Sequence, residues 1–409
     1  MVSLCKAAMG AGEATVASEL ADAWARVLVR LDVRSIASAA AAGRLLHGAA
    51  ASALRALAAD VSGGQEPRPI ACVNTRDSEL APRGYLYRRS CQLPDGRVPV
   101  TLRSAHGCTC AGLSQAASAS HCSAMAERHC SCAGAYTADG RLLALTQSGN
   151  GCIGAVHECG PVCNCCAQTC SARVSQRGVR AALHVEKGAK GWAVVADAPL
   201  PVGTFVCEYA GELLRTPEAD VRLKEYDAVP HDAPGHALLV VREVLPSRTA
   251  SLRISIDATR VGNVARFINH ACDGGNLVPV LVGACVLPPE LAQMAGAYQG
   301  IPPALSLAAG RVGRRTAAPC TPHAVSHAGQ PQGVTVCCLL AWTQVREPGN
   351  LLPRVCLYAS CDIDAGQELF FSYGEPCERS EPHSEQPQPR AQRACTCGTP
   401  ACRGFLPSQ

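Results

Sequence analysis

Cysteine placement constrains this chain more than any other feature. Many of its 26 cysteines crowd between Cys108 and Cys170, with CxC and CxxxC spacings and few apolar residues between them. Such a stretch cannot bury enough hydrocarbon to hold itself together, so metal must replace a core there. A second group is split along the chain. ArgPheIleAsnHisAlaCys runs from Arg266 to Cys272, and CysThrCysGlyThrProAlaCysArgGly runs from Cys395 to Gly404. Neither string follows helix or strand periodicity. Cys272 with Cys395, Cys397 and Cys402 makes four thiolates, the number a closed tetrahedral zinc site takes. A site of that kind pins the tail of the chain onto its middle, beside the polar pair Asn269 and His270.

In the first cluster the expected ligands are Cys108, Cys110, Cys122, Cys130, Cys132, Cys159, Cys163, Cys165 and Cys170. Three tetrahedral zinc ions take twelve sulfur bonds, which nine thiolates supply when three of them bridge two metals. Cys166 is an alternative to Cys165, since it stands at CxxxC spacing from Cys170. Cys152 reads as a spare thiol, and His106, His121 and His129 as surface residues. Spacing alone does not set the number of ions. The competing reading of so many cysteines is a disulfide-rich secreted chain. Against it, Met1 is not followed by a basic segment and a continuous apolar run. No run reaches the roughly 18 apolar residues of a membrane span. A reducing, intracellular compartment with structural zinc is expected, with no membrane association.

The length of 409 residues accommodates two or three domains, and 48% hydrophobic content supports real cores. A net charge of +4 is too mild for broad nucleic-acid binding, and no direct sequence-specific DNA binding is evident. It leaves room for a local acidic groove facing a basic substrate.

Residues 1–69 form an alanine-rich helical N-terminal region and linker. Leu20, Trp24, Leu28 and Leu31 recur at helical spacing, which predicts one or two amphipathic helices. The Gly- and Pro-containing run from Ser62 to Pro69 is expected to be the linker. Residues 70–172 carry the cysteine cluster. Residues 173–374 read as an α+β unit dominated by small sheets. Its short β-rich runs include Trp192 to Ala196, Thr204 to Tyr209 and Arg253 to Asp257, and Pro217 to Tyr226 reads as a short charged helix. From about 285 to 350 the chain turns rich in Pro, Gly and Ala, and is expected to be a disordered insertion or translated intron. A polar linker, 375–393, precedes the terminal cysteine segment, 394–409.

These residues carry a resemblance. The cysteine cluster through ValHisGluCysGlyProValCysAsnCys resembles the pre-SET zinc region of SET-domain histone lysine methyltransferases of the Suppressor-of-variegation type. Lys190 to Val194 is similar to their GWGV motif, and CysGluTyrAlaGlyGlu at Cys207 to their YxGE strand. Ile256 to His270 matches their central motif almost throughout. GluLeuPhePheSerTyrGly at Glu368 resembles ELxFDYG, and Cys395 to Gly404 resembles the post-SET motif. The plant SUVR branch is the nearest in pattern. The resemblance implies a SET-domain β-rich fold of small sheets with a pseudoknot-like C-terminal motif, flanked by zinc-cluster pre-SET and post-SET regions.

It also implies an activity: transfer of methyl groups from S-adenosylmethionine to a lysine of the histone H3 tail. Lysine 9 is the implied target and di- or trimethylation the implied product, in repressive chromatin in the nucleus. The implied metals are three zinc ions in the pre-SET region and one in the post-SET region. Lys190, Gly191, Trp192, Arg266, Phe267, Asn269 and His270 are the implied cofactor-binding residues. Tyr373 is the implied catalytic residue, Tyr209 a second aromatic of the lysine channel, and Phe371 the position governing product degree. The expected partners are the histone H3 tail or nucleosome and chromatin adaptor proteins, with the peptide adding as a strand near Leu238 to Glu243. Departures are Ala193 for glycine, Ala271 for serine, Ser372 for aspartate, and a less aromatic, less acidic strand at Leu238 to Glu243. The alternatives are a silent SET and zinc scaffold that binds chromatin proteins, and a methyltransferase for a non-histone protein.

Overall fold

The computed structural model describes residues 20–82, 84–96, 134–147, 156–160, 163, 165–229, 235–244, 251–284, 354–374 and 394–407. Three helices open the described chain: α1 over residues 20–28, α2 over Val33–Ala41 and α3 over Arg44–Ala59. Their alanines are the packing surface. Ala49, Ala50 and Ala53 are buried with Leu28, Ile36 and Leu57 against Ala81. Of the four residues whose spacing suggested an apolar helix face, only Leu28 is buried; Leu20, Trp24 and Leu31 are exposed. The small side chains let the helices approach closely; on α1 Leu28 faces that contact, while Leu20 and Trp24 face away from it. The run from Ser62 to Pro69 is not a loose connection. Asp60 accepts from the backbone of Ser62, Gly64 and Ile70, and Ser62 and Glu66 are buried.

The remainder is built from short strands. β1 (Ala71–Val73) runs parallel to β4 (Leu183–Gly188), which pairs antiparallel with β5 (Gly191–Ala196). The β4–β5 hairpin closes on Ala189 and Lys190, and Gly191 adopts φ +100, a region open to glycine. β2 (Leu86–Tyr87) and β7 (Gly211–Leu214) both pair with β9 (Ser251–Gly262), as does β8 (Leu238–Val244). β3 (Val156–Glu158), β11 (Leu277–Ala284), β12 (Arg354–Ala359) and β6 (Phe205–Glu208) form a four-stranded sheet in that order. The expected strands at Trp192, Thr204 and Arg253 are therefore β5, β6 and part of β9.

A short helix, α4 (Leu143–Gln147), precedes β3. The charged helix is α5 (Thr216–Asp227), begun by Pro217 in its first turn and by Glu218, which accepts from the backbone N–H of Arg215 at 2.9 Å. Among the described residues no helix is long and apolar enough to cross a membrane. The region from 285 to 350 lies outside the described residues.

One pairing decides where the site forms. β10 (Asn269–His270) runs parallel to β13 (Phe370–Phe371), a hundred residues later in the chain, with Asn269 opposite Phe370 and His270 opposite Phe371. The returning segment is locked on other sides too. Val195 bridges Glu368, and Gly275 bridges Phe371. Gly275 sits at φ +73, and a Cβ there would meet the carbonyl oxygen of Phe370 at 2.5 Å, so only glycine permits this approach. Asn276 accepts from Phe370 N–H at 2.8 Å and donates to Glu368 O at 2.9 Å. This crossing of distant segments is the pseudoknot-like return that the C-terminal motif implies. The principal core lies beneath it, with Val185, Val194, Val206, Ile256, Leu357, Leu369 and Phe371 fully or almost fully buried.

Candidate active site

Three aromatic side chains come together from β13, the segment after it and the segment after β6. Phe371 is fully buried; its ring centroid lies 6.2 Å from that of Tyr209 and 5.0 Å from that of Tyr373. Both tyrosine hydroxyls are anchored: Tyr209 donates to the carbonyl of Ala237 at 2.8 Å, and Tyr373 to the carbonyl of Ile268 at 2.8 Å. With their protons committed, the oxygens keep lone pairs to offer a donor. Burial, reinforced for Tyr209 by Tyr373, holds the Tyr209 hydroxyl well above its ordinary pKa. Burial and the Glu368 carboxylate raise that of Tyr373. Both phenols thus stay neutral through the physiological range.

Around this wall stand the residues that the motifs singled out. Arg266 lies over the rings of Tyr85 and Phe267, at 4.4 Å and 4.8 Å, and donates to the carbonyls of Ala258 and Thr259. Its side chain is consumed by packing, which leaves backbone as the part of Arg266 free to meet a ligand. Asn269 donates to Glu368 Oε1 at 2.7 Å. His270 is buried, and its pKa is lowered, chiefly by that burial and also by Arg403. Trp192 is half-buried, packed against the principal core, with the Lys187 ammonium 5.6 Å from its ring. Lys187 is itself held by Asp77 and Glu79. Lys190 reaches the tail: its ammonium donates to the carbonyl of Cys397 at 3.0 Å and lies 5.8 Å from the Phe370 ring.

The four sulfurs of Cys272, Cys395, Cys397 and Cys402 lie within 4.8 Å of one another. A zinc–sulfur bond of about 2.3 Å sets tetrahedral sulfur separations of about 3.8 Å, so the observed set fits zinc. Cys272 and Cys395 are already 3.6 Å apart. Burial would raise the Cys397 thiol, but hydrogen bonds from the Thr399 hydroxyl and N–H outweigh it and push the thiol down to about 5. Burial raises the Cys272 and Cys395 thiols, so without metal Cys397 is the member of the tetrad poised to carry the charge. In the pre-SET cluster Cys159, Cys165 and Cys170 form a second group, all three buried. Cys166 is exposed and donates to Gln168, so Cys165 is the one turned toward the group. Cys163 is buried and its sulfur accepts from Gly160 N–H. Cys108, Cys110, Cys122, Cys130 and Cys132 lie outside the described residues.

The hairpin turn at Gly191 leaves room for a ligand. A Cβ at Gly191 would meet nothing within 4 Å, so open space adjoins the hairpin turn beside Trp192. Two participants have a role that only the fold reveals, Glu368 and Asn276. Glu368 was visible in its motif, but only the fold shows that it holds Asn269. Asn276 carried no signal beyond its place in the loop after Cys272. Two concavities elsewhere do not touch the aromatic wall: one lies between the turn after α1, at Val29 to Leu31, and Tyr85, and one is lined by Glu66, Arg89 and Arg354.

Comparison with known proteins agrees with this geometry. Residues 62–173 match the pre-SET motif and residues 191–282 the SET domain. The histone-lysine N-methyltransferase SUVR3 of Arabidopsis thaliana is 37% identical over 255 residues, covering 62% of this chain and 52% of that protein. The histone-lysine N-methyltransferase EHMT1 of Mus musculus is 36% identical over 225 residues, covering 54% of this chain and 15% of that protein. The chain thus spans about half the length of SUVR3 and a small part of EHMT1. Among solved structures, KRYPTONITE in complex with mCHG DNA and SAH aligns with a TM-score of 0.50 at 26% identity, over 85% of this chain and 53% of that one. Arabidopsis thaliana SUVH6 in complex with SAM aligns with a TM-score of 0.52 at 24% identity, over 85% and 55%, and speaks for the fold. The chain carries a pre-SET motif followed by a SET domain, and is similar to histone-lysine methyltransferases of the Suppressor-of-variegation type.

Proposed function

We propose that this chain transfers methyl groups from S-adenosylmethionine to a lysine of the histone H3 tail, with lysine 9 the target and di- or trimethyl-lysine the product. The observation that carries this reading is the Tyr209–Phe371–Tyr373 wall, with both hydroxyls anchored on backbone carbonyls. When bound, S-adenosylmethionine supplies a methyl group on a positively charged sulfur. Gly191, Trp192, Arg266 and Phe267 would meet the cofactor through backbone, with Asn269 and His270 beside the adenosyl part and Lys190 at the edge. The chain's own work is to deliver a neutral amine in line. An apolar wall disfavours the charged ammonium by desolvation, so the lysine leaves its proton with bulk water on entry and presents the lone pair that attacks. The lone pairs of Tyr209 and Tyr373 accept the remaining amine hydrogens and orient the nitrogen. As neutral phenols held far from ionisation, they orient the amine and do not act as bases. Phe371 carries no hydroxyl to tether a water, which leaves room for an amine already methylated.

Relatives support the target. Two Arabidopsis proteins similar to this chain, SUVH6 and SUVH5, are histone-lysine N-methyltransferases specific for H3 lysine-9. KRYPTONITE forms a complex with an H3 peptide and SAH. Nuclear, chromatin-bound residence and chromatin adaptors follow from this substrate.

The test is transfer from labelled S-adenosylmethionine to H3 peptides bearing lysine or arginine at position 9. Tyr373→Phe lowers the rate on the order of 100-fold or more through loss of alignment, and the arginine peptide accepts nothing. Transfer to both peptides moves the substrate elsewhere on H3 or beyond it. That outcome would fit the Ser372 and β8 departures. No transfer by a folded, zinc-loaded chain refutes the enzymatic reading and leaves the scaffold.

A further inference from the structure

One side chain touches both the aromatic wall and the cysteine tetrad. The backbone N–H of Tyr373 donates to His270 Nδ1 at 3.2 Å, and His270 Nε2 lies 3.2 Å from Cys272 Sγ. The first contact bears on the second. A ring nitrogen that accepts an amide proton carries none of its own, so this contact favours a proton on Nε2, in competition with the Phe371 carbonyl that also faces the ring. With the proton on Nε2, that nitrogen would donate to the sulfur. The ring is 5% exposed and lies 5.2 Å from that of Tyr373, which keeps water from replacing either bond. Backbone pairing holds both ends of the link, with His270 opposite Phe371 and Ala271 N–H donating to Phe371 O at 3.2 Å.

We propose that His270 is a positioning residue that couples the tail zinc site to the placement of Tyr373 through a single tautomer, protonated on Nε2. A donor to a ligating thiolate orients the ligand and tunes the metal. The same ring, held by a metal-bound Cys272, cannot rotate away from the Tyr373 amide. Tyr373 is thereby set so that its hydroxyl meets Ile268 O. Closing the tail and aligning the wall become one event. The catalytic meaning of this link rests on the methyltransferase reading; the link itself is measured without methyl transfer.

The two ring nitrogens can be separated by mutation, since asparagine imitates Nδ1 and glutamine imitates Nε2. The full zinc-loaded chain is compared with Cys395→Ser, which empties the tail site alone, and with His270→Asn and His270→Gln. Hydrogen exchange at the Tyr373 amide, zinc release to a chromophoric chelator and the imidazole nitrogen resonances are read for each. In the unaltered chain Nδ1 resonates as an acceptor, and Cys395→Ser speeds Tyr373 exchange. His270→Asn keeps the amide protected but weakens zinc retention at one site about 10- to 100-fold. His270→Gln retains zinc and exposes the amide. A protonated Nδ1 overturns the proposal, as does Tyr373 exchange indifferent to Cys395→Ser. Either result can be read on the unaltered chain and Cys395→Ser even where the His270 variants fail to fold. A chain that shows the coupling yet transfers no methyl group sinks the proposed function and leaves the coupling standing.

Discussion

At the scale of single residues, the site is governed by what each side chain lacks as much as by what it offers. Phe371 has no hydroxyl, while the two tyrosines beside it have theirs committed to carbonyls. Phe371→Tyr introduces a polar group into a fully buried position and a tether for water. Mass spectrometry of the H3 peptide is expected to show the product shifted toward monomethyl-lysine, with a similar first-turnover rate. Asp257 is another residue defined by its company. It is fully buried, and burial alone would raise its pKa; hydrogen bonds from Thr259, Arg222 and Tyr226 outweigh this and hold it below the usual carboxylate value. A depressed folded-state pKa gives stability that is present above the unfolded value near pH 4 and lost as pH falls through the folded value. Unfolding followed by fluorescence is expected to show an acid loss of stability there. Asp257→Asn should flatten that limb and cost about 3–5 kcal/mol at neutral pH, because Arg222 then keeps only Glu212.

Among elements, the sheet β3-β11-β12-β6 joins the cysteine-rich region to the site. Its strands are stitched by Glu158, the last residue of β3 and the neighbour of Cys159. That carboxylate is 1% exposed and accepts from Tyr136, Ser175, Gln176 and Arg354. Arg354 begins β12, is buried in turn, and also faces Glu208, which precedes Tyr209. A buried charge stripped of its partner is costly, so Glu158→Gln should lower stability by about 3–5 kcal/mol in denaturant unfolding. Loss under about 1 kcal/mol would mean that the network is solvated. α5 and the strands at Trp192, Thr204 and Arg253 were legible as elements, because alternation and capping are local properties. The parallel pairing of β10 with β13 was not, since nothing within either dipeptide specifies a partner a hundred residues away. The α1 stripe misled because spacing alone does not say which of two faces a neighbour will cover.

For the whole molecule, metal stands in for core at two places. The tail segment, 394–407, is anchored through Cys272 and by a bond from Lys190 to Cys397, and is closed on itself by a bridge between Ala394 and Phe405. It buries little hydrocarbon: Phe405 itself is 51% exposed. Zinc binding is then folding energy for the tail. Chelator is expected to make residues 394–407 susceptible to protease and abolish methyl transfer, while β4–β5 and the principal core stay protected. Cys395→Ser should reproduce the tail effect alone, with one zinc fewer by elemental analysis. A tail that stays resistant without zinc would show that side-chain packing suffices.

The sequence by itself determined the chemistry available to this protein. Thiolates at ligand spacing, the Asn269–His270 pair, and aromatic residues in ordered motifs are local facts, and local facts survive without coordinates. It determined most strands and the charged helix for the same reason, since period and capping act over a few residues. Only the tertiary structure decided which of these groups meet. It chose Cys165 over Cys166 by turning one inward and leaving the other exposed. It spent the side chain of Arg266 on Tyr85 and Phe267, gave Asn269 to Glu368, and set His270 between Tyr373 and Cys272. Those choices depend on contacts between segments far apart in the chain. They arise from the shared burial of the principal core, which no single stretch of sequence contains.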